Sequence, residues 1–109
     1  MKGKHMRVLV AESDRDLGLS LSENLRSEGH AVDLTFEADS VVEYIRSEHP
    51  DLIILDSEAH EKRAHSILKQ IRAEGADIPT LVLTRCADPQ KRADILDAGA
   101  DDCLLKPSA

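Results

Sequence analysis

The chain has 109 residues, 41% of them hydrophobic, and a formal net charge of −7. This length and apolar content suit one domain. The acidic balance argues against direct binding of nucleic acid or of an anionic membrane, and it favours a basic partner or a bound cation. No apolar run approaches the roughly 20 residues that a membrane span needs, and there is no signal-peptide core.

Two strands and two helices are predicted in the first half of the chain. The apolar run 7–11 predicts a buried first strand, and residues 1–5 before it are interpreted as a leader or cloning remnant. Leucines at every fourth position mark the buried face of a first helix, which Asp14 can cap and Gly29 can end. The alternating segment 31–36 predicts an edge strand, and apolar residues at helical spacing after it predict a second helix.

Three more strands and two more helices are predicted in the second half. The run 52–55 contains four apolar residues without a polar break and stops at Asp56. Such a run is typical of a strand that is buried on both faces of a parallel sheet. The polar stretch 57–63 is interpreted as a loop before a third helix. The segments 80–84 and 102–105 predict the fourth and fifth strands, with a fourth helix between them.

Strands that alternate with helices in this way predict an α/β fold with right-handed crossovers. The economical arrangement is a flavodoxin-like, doubly wound, five-stranded parallel sheet with strand order 2-1-3-4-5. In such a sheet the ligand crevice lies outside the carboxyl ends of the strands. Four polar residues from four strands would meet there: Glu12, Asp56, Thr84 and Lys106. No single strand carries a distinctive motif, so this convergence is the functional signal.

These residues resemble the receiver domain of bacterial two-component response regulators. The most specific segments are 98–107, with the sequence AGADDCLLKP, and 49–56, with the sequence HPDLIILD. The resemblance implies a receiver domain over residues 6–109 that is truncated after the fifth strand, because the family has a fifth helix. Exposed apolar area is therefore expected beside strands four and five, or a homodimer that covers it.

The resemblance also implies the roles of individual residues. Asp56 matches the phosphate acceptor, Thr84 the switch hydroxyl and Lys106 the lysine that pairs with the phosphate. The implied Mg²⁺ ligands are Glu12, Asp56 and the backbone carbonyl of Glu58. The bond from Lys106 to Pro107 is implied to be cis.

The implied function is that of a signalling module and not of an enzyme. A partner histidine kinase or phosphotransfer protein would phosphorylate the domain in the cytoplasm, and phosphorylation would switch a protein–protein surface. An effector domain is expected beyond residue 109, and this segment itself is expected to contact neither nucleic acid nor a membrane.

Three positions depart from the family pattern. Ser13 stands where a second metal-binding acid is usual, and a neutral hydroxyl is a poorer Mg²⁺ ligand, acting weakly or through water. Weakened Mg²⁺ affinity is therefore expected. Arg85 follows Thr84 where a small residue is usual. Its guanidinium either reaches the pocket, where it takes part of the cation's role or obstructs access, or it belongs to a solvated loop side chain. Cys103 replaces the usual aromatic residue of the fifth strand, so Thr84 cannot couple to a swinging ring.

These departures leave an alternative open, namely a degenerate receiver that binds its partner without regard to phosphate. A nucleotide-binding enzyme on the same fold is a third hypothesis. Such enzymes hold phosphate on a glycine-rich loop or a helix N-terminus after the first strand. The corresponding loop here, 12–14, is acidic and has no glycine, so it would repel a phosphate unless a cation intervened.

Overall fold

The computed structural model of the chain describes residues 5–57, 61–74 and 77–107. Within these residues, five strands alternate with four α-helices, and a short 3₁₀ turn, Ala38–Ser40, precedes the second helix. The elements are β1 (Arg7–Ala11), α1 (Arg15–Ser27), β2 (Ala31–Thr35), α2 (Val41–Glu48), β3 (Leu52–Asp56), α3 (Glu61–Ala73), β4 (Thr80–Thr84), α4 (Pro89–Asp97) and β5 (Asp102–Leu105).

The five strands form one parallel sheet with the order β2-β1-β3-β4-β5. This order confirms the fold predicted from the sequence. The register pairs Ala11 of β1 with Leu55 of β3, and Asp56 of β3 with Leu83 of β4. The carboxyl ends of β1, β3 and β4 therefore lie side by side, and β5 follows at the edge of the sheet.

The two faces of the sheet have separate hydrophobic cores. One core contains Ile53 and Leu55 of β3 with residues of α2, α3 and α4. The opposite core contains Ile54 of β3, with leucines of α1 packed against it. Leu104 and Leu105 at the end of β5 remain 42% and 59% exposed. This agrees with the expectation of exposed apolar area beside strands four and five.

The helix boundaries follow mostly from local sequence signals. Asp14 caps α1, because its side chain accepts a hydrogen bond from the Leu17 backbone nitrogen at 3.2 Å. Gly29 ends the segment with a φ of 95°, which glycine adopts without strain. The predicted loop 57–63 is wrong at its end, because α3 already begins at Glu61. Polar residues with good helix propensity start this helix before its apolar pattern begins.

The Arg72 guanidinium, near the end of α3, connects the segments that lead into β4 and β5. It donates to the Gly99 carbonyl at 2.6 and 3.0 Å, to the Ile78 carbonyl at 2.8 Å and to the Asp101 carboxylate at 2.8 Å. Asp101 also accepts from the Thr80 backbone nitrogen at 2.7 Å. These contacts fix the start of β5, and with it the path along which Lys106 enters the site.

We predict that Arg72→Lys lowers the free energy of unfolding by about 1–3 kcal/mol, because a lysine ammonium cannot place donors at all the acceptors that the guanidinium reaches. Urea denaturation measures the change. The matched control is Arg46→Lys, since Arg46 donates two hydrogen bonds to Glu74 from a side chain that is 63% exposed. The control should leave stability almost unchanged. Equal effects of the two substitutions would contradict this account of Arg72.

Candidate functional site

The carboxyl edge of the sheet brings together the four polar residues that the sequence singled out. Glu12 follows β1, Asp56 and Thr84 are the last residues of β3 and β4, and Lys106 follows β5. All four are buried, with exposed fractions of 1% for Glu12, 4% for Asp56 and Thr84, and 8% for Lys106. The predicted convergence of side chains from four strands is therefore present.

Lys106 is the cation at the centre of this cluster. Its Nζ lies 2.6 Å from Asp56 Oδ1 and 3.0 Å from Glu12 Oε2. Burial by itself lowers the pKa of Lys106, but the hydrogen bonds to Asp56 and Glu12 outweigh it, so the pKa is raised. Lys106 therefore stays charged and holds two carboxylates that would otherwise repel each other.

The peptide bond from Lys106 to Pro107 is trans, since the described part of the chain contains no cis peptide bond. The cis bond implied by the family resemblance is therefore wrong for this structure. The trans form is the lower-energy isomer of a bond to proline, by about 0.5–1 kcal/mol.

Ser13 holds the second oxygen of the Asp56 carboxylate. Its backbone nitrogen and its hydroxyl oxygen lie 3.2 and 2.5 Å from Asp56 Oδ2, and both groups donate. Sequence reasoning considered Ser13 only as a weak metal ligand and missed this contact. The signal available in the sequence was the position of Ser13 directly after Glu12, in the loop that follows β1, and β1 is the strand next to β3. Both oxygens of Asp56 therefore accept hydrogen bonds, from Lys106 on one side and from Ser13 on the other.

Glu12 is buried with one of its carboxylate oxygens incompletely satisfied. Oε2 accepts from the Asp14 backbone nitrogen at 2.9 Å and from Lys106. Oε1 has no hydrogen-bond partner within the described residues. Burial raises the pKa of Glu12, and the charge of Asp56 adds to the rise, although the hydrogen bonds from Asp14 and Lys106 oppose it. A buried oxygen of this kind suits a cation or a water molecule.

Two carboxylates at this edge, Glu12 and Asp56, fit the needs of Mg²⁺, which commonly uses one or two carboxylates together with water and phosphate oxygens. The described residues contain no cluster of three or more acidic, histidine or cysteine side chains that could hold a metal. The side chains described at this edge thus offer two candidate carboxylate ligands, Glu12 and Asp56. The implied backbone ligand, Glu58, lies outside the described residues.

Thr84 and Cys103 border a cavity of about 120 Å³ between the end of β4 and the start of α4. Cys86, Ala87, Arg92 and Leu105 complete the cavity wall. The Thr84 hydroxyl oxygen accepts a hydrogen bond from the Cys86 backbone nitrogen at 3.0 Å. Cys103 is 1% exposed, and its small side chain leaves this space open where a larger side chain would fill it.

Arg85 reaches the acidic loop after β1. Its Nη2 lies 3.2 Å from Asp14 Oδ2. The Arg85 side chain is 54% exposed, and that of Asp14 is 39% exposed. Arg85 therefore lies at the rim of the cluster and not among its buried groups, and Asp14 combines a helix cap with an ion pair.

Comparison with known proteins agrees with this fold. Residues 8–109 match the family model described as the response regulator receiver domain, so the chain belongs to this family. The response regulator MprA of Mycobacterium avium is 38% identical over 104 residues, which are 95% of this chain and 46% of MprA. The transcriptional regulatory protein DltR of Streptococcus agalactiae is 34% identical over 102 residues, 94% of this chain and 46% of DltR. This chain therefore spans about half the length of these curated relatives.

Solved structures show the same fold. A two-component response regulator from Clostridium difficile has a TM-score of 0.87 and 26% identity, over 96% of this chain and 86% of that chain. A Francisella receiver domain has a TM-score of 0.86 and 23% identity, over 96% of this chain and 87% of that chain. The chain is thus the receiver domain of a two-component response regulator, a class of signalling module. No helix in the described residues is long and apolar enough to cross a membrane.

The raised pKa of Glu12 predicts a stability that depends on pH. As the pH rises through the ordinary carboxyl value of 4.5, the unfolded chain loses this proton before the folded chain does. The folded state then binds more protons than the unfolded state, so the free energy of unfolding falls as the pH rises. This fall is complete once Glu12 has also ionised in the folded protein. Glu12→Gln should therefore raise the free energy of unfolding at pH 7 by about 1 kcal/mol.

The same substitution should give almost no gain below about pH 4, where Glu12 is neutral in both states. Urea denaturation at the two pH values provides the measurement. A gain of equal size at both pH values would show that ionisation of Glu12 is not the cause.

Proposed function

We propose that this chain is a phosphoacceptor module in which a histidine kinase or phosphotransfer protein phosphorylates Asp56. The observation that carries the proposal is the contact of 2.6 Å between the Lys106 ammonium and the Asp56 carboxylate. This pair lies beside Glu12 at the edge of the sheet where ligands of such folds bind. A buried carboxylate with a cation held against it is suited to receive an anionic group.

In the proposed reaction an Asp56 oxygen attacks the phosphorus atom of the donor in line with the leaving group. A bond forms between that oxygen and phosphorus, while the bond between phosphorus and the donor's imidazole nitrogen breaks with its electron pair going to the nitrogen. Lys106 offsets the charge that gathers on the phosphoryl oxygens, and Ser13 orients the carboxylate. Mg²⁺, held by Glu12 and Asp56, supplies further positive charge when bound.

The proposed switch uses the Thr84 hydroxyl, whose oxygen accepts from the Cys86 backbone nitrogen. Donation from this hydroxyl to a phosphoryl oxygen would draw the end of β4 towards Asp56. The loop that contains Cys86 leads directly into α4, so the surface around α4 and β5 would change with it. Because Cys103 replaces the usual aromatic residue of β5, the proposed movement of the β4 end does not involve a swinging aromatic ring.

The output of this switch is proposed to lie in a part of the protein beyond residue 109. The support is the length of the curated relatives, of which this chain covers less than half. DltR is named a transcriptional regulatory protein, and a DNA-binding effector is one output consistent with that name. A homodimer that covers Leu104 and Leu105, which are exposed on β5, stays an expectation.

Asp56→Asn should abolish phosphorylation by acetyl phosphate with Mg²⁺, because an amide lacks the nucleophilic charge of a carboxylate. Intact-protein mass spectrometry measures the transferred group. The matched control is Asp51→Asn, which alters an acid at the opposite end of the same strand, where Asp51 accepts a hydrogen bond from the Arg7 backbone nitrogen. The control should be phosphorylated like the unaltered protein. Unmodified wild-type protein at millimolar Mg²⁺ would contradict the proposal and favour a degenerate receiver.

Ser13→Asp should tighten Mg²⁺ binding by about tenfold or more, because it adds a carboxylate ligand beside Glu12 and Asp56. The titration is followed by NMR of the backbone amides. Ser13→Ala serves as the control, since it removes the hydroxyl that donates to Asp56 but adds no charge. Tightening in both variants would mean that release of Asp56 from Ser13, and not the new carboxylate, governs Mg²⁺ affinity.

A further inference from the structure

The ion pair between Arg85 and Asp14 crosses the position of the proposed phosphate acceptor. Arg85 follows β4 and Asp14 lies in the loop after β1, and β3 separates these two strands in the sheet. Neighbouring strands lie about 4.8 Å apart, so this pair spans about two strand spacings at the carboxyl edge. Asp56 is the last residue of the strand that lies between them. The guanidinium is therefore held close to the place where a phosphoryl group on Asp56 would project.

The carboxyl edge of the sheet carries an excess of negative charge, which the Arg85 guanidinium can help to offset. Acids outnumber cations in the two groups of ion pairs at this edge, because Lys106 pairs with Glu12 and Asp56, and Arg85 pairs with Asp14. A phosphoryl group would add negative charge to this edge. Lys106 is buried and already shared between two carboxylates, whereas the Arg85 side chain is 54% exposed and lies at the rim of the site.

We propose that Arg85 is a second phosphate-binding residue of this site, an inference that rests on the proposed function of Asp56. In the resting protein its guanidinium pairs with Asp14. When Asp56 carries the phosphoryl group, the guanidinium exchanges the Asp14 carboxylate for phosphoryl oxygens, which its planar donors can bind in pairs. Arg85 makes and breaks no covalent bond in this exchange. It supplies charge at a site where Ser13 weakens the contribution of a metal ion.

Asp14 sets the resting position of Arg85 through an oxygen that its other role does not use. Asp14 Oδ1 accepts from the Leu17 backbone nitrogen and caps α1, while Oδ2 contacts Arg85. Asparagine is as good a helix cap as aspartate. Asp14→Asn should therefore keep α1 intact while it removes the charge that competes with phosphate for the guanidinium.

The test is a titration of the purified chain with beryllofluoride, a phosphoryl analogue, at saturating Mg²⁺, followed by NMR of the backbone amides. Arg85→Ala should weaken analogue binding by about tenfold. Arg85→Lys should weaken it less, since a lysine keeps the charge but not the planar fork. Asp14→Asn should strengthen binding a few-fold, and this gain should vanish when Asp14→Asn is combined with Arg85→Ala.

Analogue binding by Arg85→Ala that is as strong as, or stronger than, that of the unaltered protein would overturn the inference. Stronger binding would show that Arg85 only obstructs the acceptor. If the unaltered protein fails to bind beryllofluoride at saturating Mg²⁺, the proposed function itself fails, and the role of Arg85 fails with it. The two failures are distinguishable, because only the first leaves the response of the unaltered protein intact.

Discussion

The site depends on a buried lysine ammonium that separates two buried carboxylates. Lys106 contacts Asp56 at 2.6 Å and Glu12 at 3.0 Å, and all three side chains are almost fully excluded from solvent. Charges buried in this way are costly unless each is paired and hydrogen-bonded, and removal of Lys106 would leave two carboxylates without a cation. The cluster therefore constrains the ends of β1, β3 and β5 to one geometry, and the proposed phosphorylation of Asp56 depends on it.

The remainder of the fold supports this cluster by fixing where the strands end. The parallel register pairs Asp56, the last residue of β3, with Leu83, one residue before the end of β4. Arg72 fixes the beginning of β5 through the Gly99 carbonyl and Asp101. Lys106 continues the pairing between β4 and β5, because its backbone nitrogen donates to the Thr84 carbonyl at 2.8 Å. The position of the ammonium thus follows from contacts at both ends of β5.

Most of the fold was predictable from the sequence, because buried parallel strands are continuous apolar runs and their order follows from the connections. The run 52–55 identified β3, and its end at Asp56 identified the edge where a site belongs. The start of α3 at Glu61 was not predictable from apolar spacing, since the first turn of that helix is polar. The trans bond before Pro107 was not predicted, because only the family resemblance bore on this bond, and it implied a cis bond.

Contacts between distant side chains in the site were the least predictable feature. Ser13 and Asp56 are 43 residues apart in the chain, and Arg85 and Asp14 are 71 apart. The sequence placed these residues at one edge but could not give the direction of each side chain, which depends on rotamers and on competing partners. The sequence therefore predicted only a weak metal ligand at Ser13, and the structure adds its hydroxyl as a donor to the Asp56 carboxylate.

The most direct test of this account is an NMR titration of the Lys106 side chain, with its Nζ and Cε resonances followed from neutral to strongly alkaline pH. The hydrogen bonds to Asp56 and Glu12 should keep the pKa of Lys106 above that of an ordinary lysine, although burial opposes them. This elevation should shrink in Asp56→Asn. A pKa of Lys106 that is ordinary or lowered, and unchanged in Asp56→Asn, would contradict the buried charge cluster on which the account depends.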